Sequence, residues 1–304
     1  MPTEQLTVLS LSDDPARFAA AIGASFRQFG FAVVGDHGID AALIGRARDL
    51  TAEFFALPVA EKRRYVLPGS GGARGYTPFG IEIAKGAKAH DLKEFWHVGR
   101  EPPAPGMLAN LWPDRPGFRE TFTSLFNEFD RVGGIILERI AVDLGLREDW
   151  FRAAVADNNS VLRLLHYPPV AAAENGAIRA GAHEDINLIT LLLGAEEAGL
   201  ELLNRDNQWS TIAPPKGTLV VNIGDMMQRL SNHVLPSTTH RVRNPSGERT
   251  EFSRYAMPFF LHPRSDFRIE TLPGCVSAAN PDRYPGSITA DDYLQDRLRE
   301  IGLK

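Results

Sequence analysis

The sequence predicts an α+β protein, mainly a β core of sandwich or jelly-roll type with helices packed on it, and two observations carry that prediction. After about residue 158, seven short β-rich runs (161–165, 186–193, 199–203, 209–212, 218–223, 239–242 and 252–261) are separated by turn-like segments such as Asn204-Arg205-Asp206-Asn207 and Pro214-Pro215-Lys216-Gly217. Many short strands punctuated in this way indicate an antiparallel sandwich or barrel. Before residue 158 the apolar residues recur at helical spacing instead.

Taken in order, Asp13 and Asp14 ahead of Pro15 read as a cap and first turn, and Phe18, Ile22 and Phe26 follow at intervals of four on one face. A short strand over 30–34 stops at Gly35-Asp36. A second helix over 41–55 ends before Pro58, and a longer one over 117–146 offers Phe122, Phe126, Phe129 and Ile136 for one buried stripe. Residues 66–115, rich in Gly and Pro, read as loops and short strands, and 289–302 is helical again. There is no internal repeat and no linker between the halves. Residues 1–157 (helical region) and 158–304 (β core with a C-terminal helix) are therefore expected to form one unit.

Composition narrows the function. Of 304 residues, 43% are hydrophobic and 23% charged, enough apolar material for a sizeable core. Lys and Arg number 33 against 38 Asp and Glu, a net charge of −5, which lacks the basic footprint of a nucleic-acid binder. The longest strongly apolar stretches, such as 188–195, fall short of the roughly 18 residues of a membrane span. The opening Met1-Pro2-Thr3-Glu4-Gln5 lacks the charged-then-apolar pattern of a secretory signal. One cysteine, Cys275, makes neither an internal disulfide nor a Cys-rich zinc site. The expectation is a soluble, cytoplasmic protein whose chemistry comes from histidines, carboxylates or a borrowed cofactor.

Most of the eight histidines need no chemical role. His183, in Gly181-Ala182-His183-Glu184-Asp185, is different. In an extended segment residues i and i+2 share a face, so His183 and Asp185 project together while Glu184 points away. They supply two of the three ligands of a 2-His-1-carboxylate facial triad, which leaves positions open for non-haem iron chemistry. The third ligand is expected on a later strand. His233 lies in the turn-like Ser231-Asn232-His233-Val234. His240 lies in Thr238-Thr239-His240-Arg241-Val242, a β-branched run suited to aiming a side chain inward, and is the expected ligand.

With these residues in view, the chain resembles the iron(II)-dependent oxygenase family of isopenicillin N synthase and the 2-oxoglutarate-dependent dioxygenases. The matching motifs are His183-Glu184-Asp185 with the strand after it, Val221-Asn222-Ile223-Gly224-Asp225, Leu230-Ser231-Asn232, His240-Arg241-Val242 and Arg254-Tyr255-Ala256-Met257-Pro258-Phe259-Phe260. In the N-terminal half they are Phe29-Gly30-Phe31, Asp36-His37-Gly38-Ile39 and Phe54-Phe55-Ala56-Leu57-Pro58. The resemblance implies a double-stranded β-helix (jelly roll) with an N-terminal helical region, Fe(2+) held by His183, Asp185 and His240, and 2-oxoglutarate and O2 as cosubstrates. It also implies that Arg254 and Tyr167 bind a carboxylate, which is the distal group of 2-oxoglutarate in most members. Two positions depart from the family pattern: Ala256, where a Ser is usual, and Leu165, where many plant members carry Asn. Arg163, two residues from Leu165, is a further candidate clamp. Segments 74–78 and 91–96 resemble those that border the family's substrate pocket.

The leading function is thus a non-haem iron oxygenase coupling 2-oxoglutarate decarboxylation to oxidation of a small organic molecule. The alternatives are an isopenicillin N synthase-like oxidase that uses no 2-oxoacid, an enzyme that fragments 2-oxoglutarate itself, and a non-catalytic ligand-binding barrel. Gly69-Ser70-Gly71-Gly72-Ala73-Arg74-Gly75 lacks the strand and helix context of a nucleotide fingerprint and reads as a loop near the pocket mouth. Trp209 and Phe259 read as core, Asp225 as a turn residue, and no Gly-x-Ser-x-Gly supports a serine hydrolase.

Overall fold

A computed structural model of the chain describes residues 6–83, 89–169, 177–193 and 199–300. The opening five residues, the end of the 188–195 apolar stretch and the last residues of the expected terminal helix lie outside them. The strands in chain order are β1 (Val8–Ser10), β2 (Phe31–Gly35), β3 (Gly75–Thr77), β4 (Glu94–Gly99), β5 (Val161–Tyr167), β6 (Ala180–His183), β7 (Ile189–Leu193), β8 (Leu200–Leu203), β9 (Trp209–Thr211), β10 (Leu219–Ile223), β11 (His240–Val242), β12 (Arg254–Ala256), β13 (Pro258–Leu261), β14 (Arg268–Glu270) and β15 (Ser287–Thr289). The helices are α1 (Pro15–Phe29), α2 (Ala41–Phe55), α3 (Val59–Lys62), α4 (Phe118–Asp143), α5 (Arg152–Val155), α6 (Asp225–Leu230) and α7 (Ala290–Glu300). None of the described helices is long and apolar enough to cross a membrane.

Nine strands form the major sheet, in the order β1-β2-β10-β7-β13-β5-β4-β3 with β12 also paired to β5. A four-stranded sheet, β6-β11-β8-β9, lies against it. Alternation along the strands divides the major sheet into two faces. Trp96, Leu162, Leu164, Leu191, Val221 and Phe259 point to the helices and join the main core with Phe18, Ile22 and Phe26 of α1, Phe54 of α2, and Phe122, Phe126 and Phe129 of α4. The opposite face packs on the smaller sheet through Phe95, Leu165, Tyr167 and Ala256 against Ala180 and Val242, and through Phe31, Val33 and Val220 against Leu200 and Leu202. Double-stranded β-helix is the right description of this jelly roll, with the helices on its outer side.

The expected helices form where their caps and stripes placed them. The Asp14 side chain accepts the Arg17 N–H at 3.0 Å, and Gly30 closes α1 in the left-handed region at φ 68°. A Cβ at Gly30 would lie 2.2 Å from the Thr238 hydroxyl oxygen, so glycine is also what lets the α1–β2 corner approach the segment leading into His240.

Segment 66–115 holds short strands as expected, among them the six-residue, fully buried β4, whose partner β5 lies about seventy residues away. Three local expectations need correction. The run 186–193 becomes a strand only from Ile189, because Ile186 to Leu188 bend under α6. Asp225 opens α6, buried and paired with Arg297 at 2.9 Å. Trp209 is only half-buried, because β9 is an edge strand, and Arg241 lies over its ring at 3.9 Å. Phe259 is fully buried and stacks on Phe129, as a core residue should.

Candidate metal centre and cosubstrate pocket

His183 ends β6 and pairs across the sheet with His240, the first residue of β11. Asp185 lies two residues past the end of β6 in the connection to β7. The sequence reading expected His183 and Asp185 on one extended face, and the chain still brings them together although the strand stops first. Asp185 Oδ1 is 3.8 Å from His183 Nε2 and 3.9 Å from His240 Nε2. One donor atom from each residue falls within a 4.8 Å group.

Every other polar atom of this group is committed. His183 Nδ1–H donates to the Gly181 carbonyl at 2.7 Å, and His240 Nδ1–H to the Thr238 carbonyl at 3.1 Å. Those bonds fix the tautomers that leave both Nε2 lone pairs facing the cluster. Asp185 Oδ2 accepts from Thr190 Oγ1 at 2.6 Å and Asn222 Nδ2 at 2.8 Å, which leaves Oδ1 toward the histidines. Phe31 packs edge-on against His240. The Asp185 carbonyl accepts the Asp225 N–H at 2.7 Å, and this connection fits closely because a Cβ at Gly224 would lie 2.2 Å from the Asn187 carbonyl oxygen.

The charges favour a cation. Burial alone would raise the Asp185 carboxyl, but the two imidazoles and the Asn222 and Thr190 bonds outweigh it and hold the group below its ordinary value. Burial and the neighbouring His240 pull His183 down to about 4, so it is a neutral donor at pH 7. A carboxylate and two imidazoles, their free donor atoms grouped on one side, fit iron(II).

The two late-strand candidates lie where strand register puts them. Arg254 on β12 is directly opposite Tyr167 on β5, and Ala256 is opposite Leu165. All four face the barrel interior. The Arg254 guanidinium carbon is 5.1 Å from the Tyr167 ring centre, and Arg254 is buried to 3% exposure. Its Nε and Nη1 have no hydrogen-bond partner among the described residues. A buried guanidinium in that state is costly unless an anion completes it, so these atoms fit a carboxylate ligand.

Arg163 also faces the interior, but its donors are largely occupied. Its Nε–H donates to His97 Nε2 at 2.6 Å and its Nη1 reaches Glu82 at 3.2 Å, while Phe95 lies under the guanidinium at 4.1 Å. Burial and the Arg163 charge hold His97 well below its ordinary value, so it accepts as a neutral ring and donates Nδ1–H to the Gly72 carbonyl at 2.6 Å. Burial pushes the Glu82 carboxyl up, yet Arg163 and Lys93 prevail and hold it below its ordinary range. Lys93 bridges Glu82 at 2.6 Å and Asp91 at 2.8 Å, and Asp91 accepts the Gly181 N–H of β6. His233 is not in the metal group; its Nε2 meets the Tyr284 hydroxyl at 2.5 Å. Sequence reasoning missed Thr190, Asn222, His97 and Glu82. The inward phase of Thr190 and Asn222 on strands read correctly was the available signal for the first two.

Comparisons with known proteins point to one family. Residues 1–115 match the family described as non-haem dioxygenase in morphine synthesis N-terminal, and 158–263 match the 2OG-Fe(II) oxygenase superfamily. The chain is 31% identical to the 2-oxoglutarate-Fe(II) type oxidoreductase hxnY of Emericella nidulans, over 94% of this chain and 85% of that one. Its fold matches a 2OG-Fe(II) oxygenase family protein of Caulobacter crescentus with a TM-score of 0.89 and 55% identity, covering 97% of this chain and 99% of the other. It also matches full-length Neurospora crassa T7H in complex with alpha-KG (2-oxoglutarate), with a TM-score of 0.89 and 30% identity over 98% of both chains. JOX2, solved with 2OG, Fe and JA, matches at 0.83 and 30% identity, over 97% of this chain and 85% of that one. Relatives with 2-oxoglutarate bound favour the 2-oxoglutarate reading over an oxidase that needs none. The chain belongs to the 2OG-Fe(II) oxygenase superfamily: it is a 2-oxoglutarate-dependent dioxygenase that uses iron(II) and O2 to oxidise a small molecule.

Proposed function

We propose that His183, Asp185 and His240 hold the iron, that Arg254 and Tyr167 take the distal carboxylate of 2-oxoglutarate, and that the primary substrate rests against Arg163 and its aromatic neighbours. The observation that carries the assignment is the buried Arg254 guanidinium, with two unpartnered nitrogens, opposite Tyr167 in the barrel that contains the His-Asp-His group. Bound iron supplies the O2 activation that couples 2-oxoglutarate decarboxylation to substrate oxidation.

The chain's own residues do the rest. Thr190 and Asn222 keep Asp185 ionised and aimed. Arg254 offers a charge-assisted fork to the carboxylate, and Tyr167 covers its face and adds a phenol. Leu165, Leu192, Val242 and Ala256 pack around this end and exclude water, which strengthens the ion pair. Because Ala256 brings no hydroxyl, Arg254 carries more of the carboxylate binding.

On the substrate side, Arg163 and Lys93 are balanced by Glu82 and Asp91. The bonds to His97 and Glu82 use Nε and Nη1 of Arg163, and Phe95 and Phe260 flank the guanidinium. A charge-balanced donor between aromatic walls suits a neutral carbonyl or hydroxyl oxygen on a small ring better than a second anion. Thymine bound to Neurospora crassa T7H and JA bound to JOX2 support a substrate of this size. We place residues 1–157 and 158–304 in one functional unit, since β4 of the first region contributes Phe95 and His97 to this wall. The buried, unpaired Cys275 supports a cytoplasmic setting.

Incubation with iron, O2 and 2-oxoglutarate tests the assignment. The parent is expected to form succinate and CO2, faster when a fitting substrate is added, and His240→Ala and Arg254→Met to lose that turnover. Absence of succinate from the iron-loaded parent, or full turnover by either variant, overturns it.

A further inference from the structure

Behind the proposed clamp, on the helix-facing side of the same strands, lies a polar cluster that touches neither metal nor cosubstrate. Glu94 of β4 is buried and accepts from Lys62 Nζ at 2.7 and 2.8 Å, from the Tyr76 hydroxyl, and from His166 Nδ1–H at 2.7 Å. Burial alone would raise this carboxyl, but the His166, Lys62 and Tyr76 bonds hold it below its ordinary value. Lys62 is anchored in turn by the Phe55 carbonyl at 3.0 Å. The other nitrogen of His166, Nε2, meets the Ser253 hydroxyl at 3.0 Å. The imidazole lies between Phe55, with ring centres 5.3 Å apart, and Tyr255, at 5.0 Å and 14° from parallel.

The chain positions of these contacts give the cluster its meaning. His166 immediately precedes Tyr167, while Ser253 and Tyr255 bracket Arg254. Alternation sends residues 166 and 255 to the helix side and residues 167 and 254 to the barrel. β12 is only three residues long, follows the short helical turn Gly247–Glu251, and is paired to β5 alone. Three residues of ladder hold weakly a buried guanidinium with two nitrogens unpartnered among the described residues, and the added fixation comes from outside the barrel. Both neighbours of Arg254 rest on the one ring that Glu94 and Lys62 immobilise.

We propose that Ser253, His166 and Glu94 form a positioning relay that sets Arg254 opposite Tyr167, so that residues remote from the ligand tune affinity for the distal carboxylate of the 2-oxoacid. This rests on the reading that Arg254 binds that carboxylate. The relay acts on the clamp and leaves the metal group alone, because none of its members contacts His183, Asp185, His240, Thr190 or Asn222.

The test compares two 2-oxoacids on the iron-loaded, full-length protein without O2: 2-oxoglutarate, which has the distal carboxylate, and pyruvate, which has the same chelating end and lacks it. Ser253→Ala is expected to raise the 2-oxoglutarate dissociation constant by about three- to tenfold, the range for one lost hydrogen bond. His166→Phe, which keeps the ring stacking and removes both bonds, should raise it by about tenfold or more. Pyruvate and iron affinities should stay within about twofold of the parent, and Ser253→Thr should restore the 2-oxoglutarate value. Unchanged 2-oxoglutarate affinity in both Ser253→Ala and His166→Phe, or an equal loss for pyruvate and iron, overturns the relay. Arg254→Met is the control on the underlying reading: if it binds 2-oxoglutarate like the parent, the clamp assignment itself fails.

Discussion

The proposed metal group and the proposed carboxylate clamp share one barrel interior and are built in opposite ways. Around His183, Asp185 and His240, the atoms turned away from the cluster have protein partners: two backbone carbonyls, the Thr190 hydroxyl and the Asn222 amide. At the proposed clamp, Arg254 keeps two buried nitrogens without partners among the described residues, and the position beside it is Ala256 rather than a hydroxyl. The first region is preorganised by the protein. The second, in the proposed reading, is completed by its ligand and placed by contacts outside the barrel. Losses in the two regions should therefore separate when iron and 2-oxoglutarate are measured independently.

The largest effect is expected at the metal. His183→Ala, Asp185→Ala and His240→Ala should each weaken iron binding by more than about a hundredfold, beyond what loss of an outer hydrogen bond costs. His233→Ala should leave it unchanged, since His233 is engaged with Tyr284. Metal titration of the apo variants checks this, and iron retained in His240→Ala but lost in His233→Ala would reverse the ligand assignment. Next, Arg254→Lys keeps the charge and loses the fork. It should raise the 2-oxoglutarate dissociation constant ten- to a hundredfold, about 1.4–2.8 kcal/mol, with iron affinity untouched. An equal drop in both affinities would mean that the two regions are not separable.

Smaller effects sharpen the contrast. Asn222→Ala removes one of the two donors to Asp185 Oδ2 and should cost about tenfold in iron affinity, with 2-oxoglutarate binding to the iron-loaded form nearly unaffected. Ala256→Ser adds a donor beside the clamp and should tighten 2-oxoglutarate a few-fold, about 0.5–1 kcal/mol. A weakened Ala256→Ser would show that the methyl is needed for packing against Leu165 and Tyr167 rather than merely lacking a hydroxyl.

What the sequence made legible follows the same division. The metal group is short-range in its pattern: His183 and Asp185 are two residues apart, and His240 stands in a β-branched run whose strand character is local. Even the early end of β6 did not disturb the result, because the loop is tied down by the Asp225 N–H. The proposal for Arg254 and Tyr167 came only through resemblance, since nothing local says that β12 pairs with β5. The occupation of Arg163 was hidden for a similar reason. Its partners His97 and Glu82 lie 66 and 81 residues earlier, in a stretch whose Gly and Pro content reads as loops and short strands. Asp225 read as a turn because Gly224 follows the end of a strand directly before it, and its pairing with Arg297 comes from a helix 65 residues further on.

The most direct test of the account is an anaerobic titration of the apo protein, first with Fe(II) and then with 2-oxoglutarate, following the metal-to-ligand charge-transfer absorption that appears when a 2-oxoacid chelates the iron. The account predicts a saturable band in the parent, no band in Asp185→Ala at any 2-oxoglutarate concentration, and in Arg254→Lys the same band at ten- to a hundredfold higher 2-oxoglutarate. A parent that binds iron but shows no band with saturating 2-oxoglutarate, or an Arg254→Lys curve that overlays the parent's, would contradict it.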